Sequence, residues 1–182
     1  MSLIDFLKNN HLQDSDEIIF YGGSFHPWHE GHSECIRLLK KDTPLIVILD
    51  HNPHKELDTE KDIDILEIKK TISLLRENTF LYEEFFHLNQ KNPTATWINE
   101  LKKQVNSKLS LLMGFDSFQG LESWTSANSL IKSLSALYIA SRLEDEKTQV
   151  ETTKKIHKIN PKLEINFLGH HPFEKLSSTE LR

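Results

Sequence analysis

The feature that most limits the fold is a series of short apolar runs set between longer stretches of helical spacing. Ile18-Ile19-Phe20-Tyr21, Leu45 to Leu49, Leu109 to Met113, Ala136 to Ala140 and Leu163 to Leu168 read as buried strands. Residues 79–87, rich in aromatics, read as a further strand. Helical spacing covers residues 30–41, with Cys35, Ile36, Leu38 and Leu39 apolar and Lys40-Lys41 at the favourable carboxyl end. It recurs over 58–77, with Ile65, Ile68, Ile72 and Leu75 on one stripe, over 94–105, with Trp97, Ile98, Leu101 and Val105 on one face, and over 144–158. Shorter helices are expected near 116–122 and 126–133. At the start, residues 2–10 suit a helix capped by Ser2, with Leu3, Phe6 and Leu7 on one face. Alternation of this kind predicts an α/β domain with a mostly parallel sheet and helices on both faces. Such sheets bind ligands beyond the carboxyl ends of their strands. That rule puts Gly22-Gly23, Asp50 to Lys55, Gly114-Phe115-Asp116 and Ser141-Arg142 at the opening.

Bulk properties narrow the class. A chain of 182 residues fits one domain with a real core. A net charge of −5 argues against coating nucleic acid through its phosphates, and leaves room for a local phosphate site. The single cysteine, Cys35, excludes an internal disulfide and a cysteine-based zinc site. The first residues lack a basic segment followed by an apolar one, so no signal peptide is expected. No apolar run approaches the ~20 residues of a membrane span. The expectation is a cytoplasmic protein with no membrane or nucleic-acid partner.

The strongest local signal is Gly22-Gly23-Ser24-Phe25-His26-Pro27-Trp28-His29-Glu30-Gly31-His32. Glycines closing a strand let the backbone approach a ligand and expose its N–H groups. The helix that follows offers its amino end to phosphate. His29 and His32, three apart, project from one side of its first turn. An H-x-x-H pair by itself is often incidental, and His51 and His54 repeat the spacing, which leaves a histidine-rich metal module as one alternative. H-E-x-x-H is absent, however.

The whole segment is similar to the G-G-[ST]-F-x-P-x-H-x-G-H signature of nicotinate mononucleotide adenylyltransferases, within the HxGH nucleotidyltransferases. The resemblance implies that Gly22, Gly23, Ser24, Phe25, His29 and His32 hold ATP phosphates, with both histidines catalytic. His26 stands where the family usually has Asp, and Trp28 where it usually has an aliphatic residue. Asn52-Pro53-His54-Lys55 resembles a P-H-K element after the second strand, with Lys55 a cation for phosphate. Pro93-Thr94-Ala95-Thr96-Trp97 resembles S-Y-T-x-D-T-L without its central Asp-Thr, and puts Thr94 and Thr96 near the pyridine nucleotide. From the residues alone, Thr94 is a helix cap and Trp97 is core. Gly114-Phe115-Asp116-Ser117, Leu121 and Trp124 resemble G-x-D-x-L…W, which places Gly114 and Asp116 at the nucleotides and Trp124 on the pyridine ring. Tyr138 to Arg142 resembles a strand ending in Arg, with Arg142 at the sheet opening.

At the other end, Leu176-Ser177-Ser178-Thr179-Glu180-Leu181-Arg182 is similar to I-S-S-T-x-I-R. By that likeness Ser177, Ser178, Thr179 and Arg182 clamp phosphate; alone, Ser177 with Glu180 is a capping box. Family members usually continue past this Arg with more helix, whereas the chain here ends on it. The likeness spans residues 17–182, leaving 1–16 as a helical extension. It implies a doubly wound, Rossmann-like fold, ATP and a pyridine mononucleotide as partners, and Mg²⁺ on the triphosphate. The implied reaction is adenylyl transfer to nicotinate mononucleotide with release of pyrophosphate. The alternatives are an amide or other small-phosphate acceptor, or an ATP-binding regulator without turnover.

Overall fold

The computed structural model describes residues 1–51, 64–88, 92–140 and 146–173. Six strands form one sheet: β1 (Glu17–Gly23), β2 (Leu45–Leu49), β3 (Thr79–Tyr82), β4 (Lys108–Gly114), β5 (Ala136–Ala140) and β6 (Glu164–Phe167). Their order is β3-β2-β1-β4-β5-β6, and every neighbouring pair is parallel. The sheet is therefore parallel throughout, where the sequence predicts only a mostly parallel one. The helices are α1 (Leu3–Asn9), α2 (Glu30–Leu38), α3 (Ile65–Leu75), α4 (Glu84–His87), α5 (Thr94–Leu101), α6 (Phe115–Gln119), α7 (Ala127–Ser133) and α8 (Glu146–Ile159), with a 3-10 turn at Leu121–Ser123.

This strand order is the doubly wound one, and the two-residue period of each strand gives the sheet two buried faces. In β1, Ile18 and Phe20 join one core, and Ile19 and Tyr21 join the other. In β2, Ile46 and Ile48 face the first core, and Leu45, Val47 and Leu49 the second. Parallel strands buried on both faces need no polar alternation, which is why β2 and β5 read as continuous apolar runs. Right-handed crossovers then dictate where the helices go. The path from β1 outward to β3 lays α2 and α3 on one face, through Cys35, Ile36, Ile68 and Ile72. Beyond it, α5, α6, α7 and α8 cover the other, through Trp97, Ile98, Phe118, Leu130 and Ile156. Phe20, fully buried, meets Trp97 edge-on at 5.2 Å in the middle of that face.

Helix α1 packs on the same core. Ser2 Oγ accepts from the Asp5 N–H at 3.2 Å and starts it, and Leu3 and Leu7 bury against the sheet. Phe6 meets Tyr82 edge-on at 5.4 Å.

Three boundaries differ from the sequence expectation. Residues 79–87 form a strand only to Tyr82, and the rest is the single-turn α4. There the backbone closes on itself, the Glu83 carbonyl accepting from the Phe86 N–H at 3.0 Å, while Phe85 packs on Tyr82 and Trp97 and Phe86 on His51. Helix α2 stops at Leu38 rather than Lys41, because Lys41 is drawn to the Glu17 carboxylate at 2.8 Å and to the Tyr138 hydroxyl. Helix α5 ends at Leu101, with a turn in place of its expected last residues. The predicted helix over 58–77 is described from Ile65 to Leu75, and residues 58–63 lie outside the described residues.

Candidate active site

The crossovers leave β1 and β4 in opposite directions, so a crevice opens at their carboxyl ends. Because every strand is parallel, α2, α5 and α6 also begin at this edge. That places Gly22, Gly23, Ser24, His29, His32, Thr94, Thr96, Gly114, Asp116 and Trp124 along one rim of the sheet.

Gly22 and Gly23 are still strand residues, in register with Ile48 and Leu49. The sequence predicts the tight turn at this glycine pair. The left-handed residue is instead Phe25, at φ 45°. Such a conformation costs an aromatic residue about 1–2 kcal/mol. Packing offsets it: Phe25 is 3 % exposed and lies 5.1 Å from the Tyr21 ring, 5.0 Å from Trp28 and 5.0 Å from His32. Gly23 is explained by the same ring, since a Cβ there would stand 2.9 Å from Phe25 Cε1. Gly22 and Gly114 face open space, with nothing within 4 Å of a Cβ built on either. A ligand can therefore approach both backbones closely. The following His26–Pro27 peptide is cis.

The two histidines meet at the start of α2. His29 is the N-cap, with extended backbone, and its carbonyl accepts from the N–H groups of His32 at 2.9 Å and Ser33 at 3.3 Å. The His32 ring folds back, and its Nδ1 accepts from the His29 N–H at 3.3 Å. In the neutral ring this bond assigns the proton to Nε2. The imidazoles stack with centroids 3.7 Å apart and planes at 23°. Gly31 makes the stack possible, because a Cβ would lie 3.0 Å from two atoms of the His29 ring. Trp28 walls the pair: its Nε1 donates to Ser33 Oγ at 3.0 Å and its ring lies 5.3 Å from His32. The Phe173 carbonyl also lies beside Gly31, 3.4 Å from where a Cβ would stand.

The remaining predicted residues divide into four groups. Asp116 is exposed in the first turn of α6, directly past Gly114. Thr94 is half-buried and Thr96 exposed in the first turn of α5. The cap of α5 is Pro93, whose carbonyl accepts from the Thr96 N–H at 2.8 Å, so Thr94 is the first helical residue and not the cap. Trp97 is core, at 9 % exposure, and Trp124 is half-buried against the core edge. Lys55, Arg142, Ser177, Ser178, Thr179 and Arg182 lie outside the described residues.

One group at this rim carries no role in the sequence reading. Asp50 follows β2, and its Oδ1 accepts from the His51 N–H at 2.7 Å and from Asn92 Nδ2 at 3.1 Å. Burial raises its pKa above the ordinary value, against the lowering effect of those two bonds and of His51. Only an acidic residue closing the apolar run Leu45 to Leu49 hints at it in the sequence. Its partner Asn92 stands 42 positions away.

Residues 20–182 match the cytidylyltransferase-like family. A probable nicotinate-nucleotide adenylyltransferase of Pelagibacter ubique is 30% identical over 135 residues, covering 71% of this chain and 74% of the relative. One from Leptospira interrogans is 27% identical over 171 residues, covering 89% and 81%. One from Borrelia garinii is 31% identical over 140 residues, covering 71% and 68%. Among solved structures, the Plasmodium falciparum nicotinic acid mononucleotide adenylyltransferase complexed with APC superposes with a TM-score of 0.66 at 20% identity, covering 91% of this chain and 81% of that one. That likeness shows the shared fold. On the family match and these relatives, the chain belongs to the cytidylyltransferase-like family, among the nicotinate-nucleotide adenylyltransferases.

Proposed function

We propose that the protein transfers AMP from ATP to the 5′-phosphate of nicotinate mononucleotide, forming the dinucleotide and releasing pyrophosphate. The observation that carries this reading is the stacked His29–His32 pair at the amino end of α2, beside the open backbone of Gly22. A helix amino end with two imidazole donors suits a polyphosphate. The names of the relatives favour the acid acceptor over the amide.

An oxygen of the acceptor phosphate attacks the α-phosphorus of ATP, and the bond from that phosphorus to the β-phosphate bridging oxygen breaks. No covalent enzyme intermediate is required, so catalysis is positioning and charge stabilisation. In this reading, Gly22, Gly23, Ser24 and Phe25 shape the phosphate cradle. His29 and His32 donate to the oxygens on which charge develops. Gly114 and Asp116 border the nucleotide, and Thr94, Thr96 and Trp124 receive the pyridine mononucleotide. Lys55, Arg142, Ser177, Ser178, Thr179 and Arg182 supply the remaining phosphate contacts by the resemblance of their motifs.

The described residues hold no group of three His, Cys, Asp or Glu side chains arranged for a metal. By the resemblance, Mg²⁺ would enter as the counter-ion of the triphosphate, held mostly by substrate oxygens and water, and would neutralise phosphate charge. In the same proposal, residues 17–182 are the nucleotidyltransferase domain, residues 1–16 add α1, and the enzyme works in the cytoplasm. No described helix is long and apolar enough to cross a membrane.

The test is chromatography of the products from ATP, Mg²⁺ and nicotinate mononucleotide. Dinucleotide formation that is lost in His29→Ala and His32→Ala, with unaltered circular dichroism, supports the assignment. Full turnover in both variants removes it.

A further inference from the structure

Asp50 joins two parts of the rim. Its N–H donates to the Gly23 carbonyl at 3.1 Å, which ties it to the end of β1. Its side chain runs the other way, taking the Asn92 amide at 3.1 Å. Asn92 also reaches the Phe85 carbonyl at 3.5 Å and directly precedes Pro93, the cap of α5. The adjoining His51 stacks on Phe86 at 4.7 Å, and its Nε2 lies 2.6 Å from the Phe86 carbonyl. The main chain of Asp50 thus holds the glycine strand, while its carboxylate holds the start of α5. A hydrogen bond to a carboxylate is worth more than a neutral one, so cutting it removes the stronger tie between Asp50 and Asn92, which precedes the cap of α5.

We propose that Asp50 is a positioning residue that keeps the first turn of α5, and so Thr94 and Thr96, aligned with the glycine strand, setting affinity for the acceptor mononucleotide rather than for ATP. The inference rests on reading those two threonines as acceptor contacts. Its signature is selective, because truncating the side chain spares the N–H bond to Gly23.

In Asp50→Ala the KM for nicotinate mononucleotide rises about tenfold, the worth of one charge-assisted hydrogen bond, while the KM for ATP barely moves. Asp50→Asn keeps an oxygen acceptor and recovers most of the loss. Asn92→Ala cuts the same bond from the other side and gives the same rise, and the double variant adds nothing to either single one. Asn92→Ala decides the matter if Asp50→Ala does not fold. Amide hydrogen exchange reads the tie without turnover: it quickens at residues 94–97 in either variant and stays unchanged at the residue 50 N–H, which donates to the Gly23 carbonyl. An unmoved acceptor KM, an equal rise in both KM values, or unchanged exchange in α5 overturns the proposal. Wild-type protein that turns over no mononucleotide defeats the functional reading instead, and exchange alone then judges the role of Asp50.

Discussion

The imidazoles of His29 and His32 stack at 3.7 Å, and the His29 N–H donates to Nδ1 of the His32 ring. Each ring therefore fixes the other, and the pair acts as one preorganised donor surface. Replacing either with Ala is expected to lower kcat about 10²–10³-fold, as for loss of a donor to developing charge. Steady-state kinetics on both variants checks this. Comparable loss in the single and double variants is the result expected of groups that act as a unit.

Gly31→Ala separates activity from stability. The added methyl would meet the His29 ring at 3.0 Å and push it off the stack. Within a helix the same change alters stability by no more than about 1 kcal/mol, in the favourable direction. The displaced ring opposes that gain, so thermal denaturation should show a midpoint that moves little while turnover falls. A variant as active as the wild type would show that the stack is dispensable.

Much of this was legible in the sequence, and the remainder has a common cause. Strands Leu45–Leu49 and Ala136–Ala140 match their apolar runs residue for residue, since burial on both faces leaves no polar interruption. The three-residue spacing of the histidines gives their shared side of α2. What the sequence hides depends on side-chain partners that spacing and local propensity do not specify. The early end of α2 follows from Lys41 reaching Glu17 and Tyr138, the latter 97 positions away. Phe25 holds a left-handed conformation that local rules reserve for glycine, because its ring is gripped by Tyr21, Trp28 and His32.

At the opposite end of the sheet, Glu17 ties three strands together. Burial alone would raise its pKa, but bonds from Lys41, Ser110 and Tyr138 outweigh it and leave the pKa lowered. A lowered folded pKa means stability present above the unfolded value of 4.5 and lost as pH falls below it. Chemical denaturation across pH 3–6 (roughly the window of this carboxyl) should show that loss in the wild type and a smaller one in Glu17→Gln. Parallel curves for the two proteins would deny Glu17 that role.

Tyr82 gives the converse case. Burial, with the nearby Glu84 and Asp5 carboxylates, pushes its hydroxyl up to about 12, and it donates to the Met1 carbonyl at 3.0 Å. With the folded pKa above the unfolded value of 10.0, its contribution is complete below pH 10.0 and is lost as pH rises toward about 12. Tyr82→Phe should cost about 1 kcal/mol at neutral pH and reduce the alkaline loss. Equilibrium unfolding at both pH values reads the two effects, and an alkaline loss of full size in Tyr82→Phe would assign it elsewhere.

Trp124 is half-buried against the edge of the core, and in the proposed reading it receives the pyridine ring. Trp124→Ala is expected to weaken the mononucleotide about tenfold, the worth of one lost aromatic stack, with Trp124→Phe between. Isothermal titration with nicotinate mononucleotide measures this. Equal affinity in all three proteins would remove Trp124 from the acceptor site.

Adenylyl transfer leaves one product that can be read directly, pyrophosphate. Pyrophosphate release should be measured with ATP and Mg²⁺ in the presence of nicotinate mononucleotide, and in parallel with nicotinamide mononucleotide. Release is expected with the nicotinate form, at a clearly higher kcat/KM than with the amide. Folded protein that binds ATP and releases no pyrophosphate with either acceptor would contradict it.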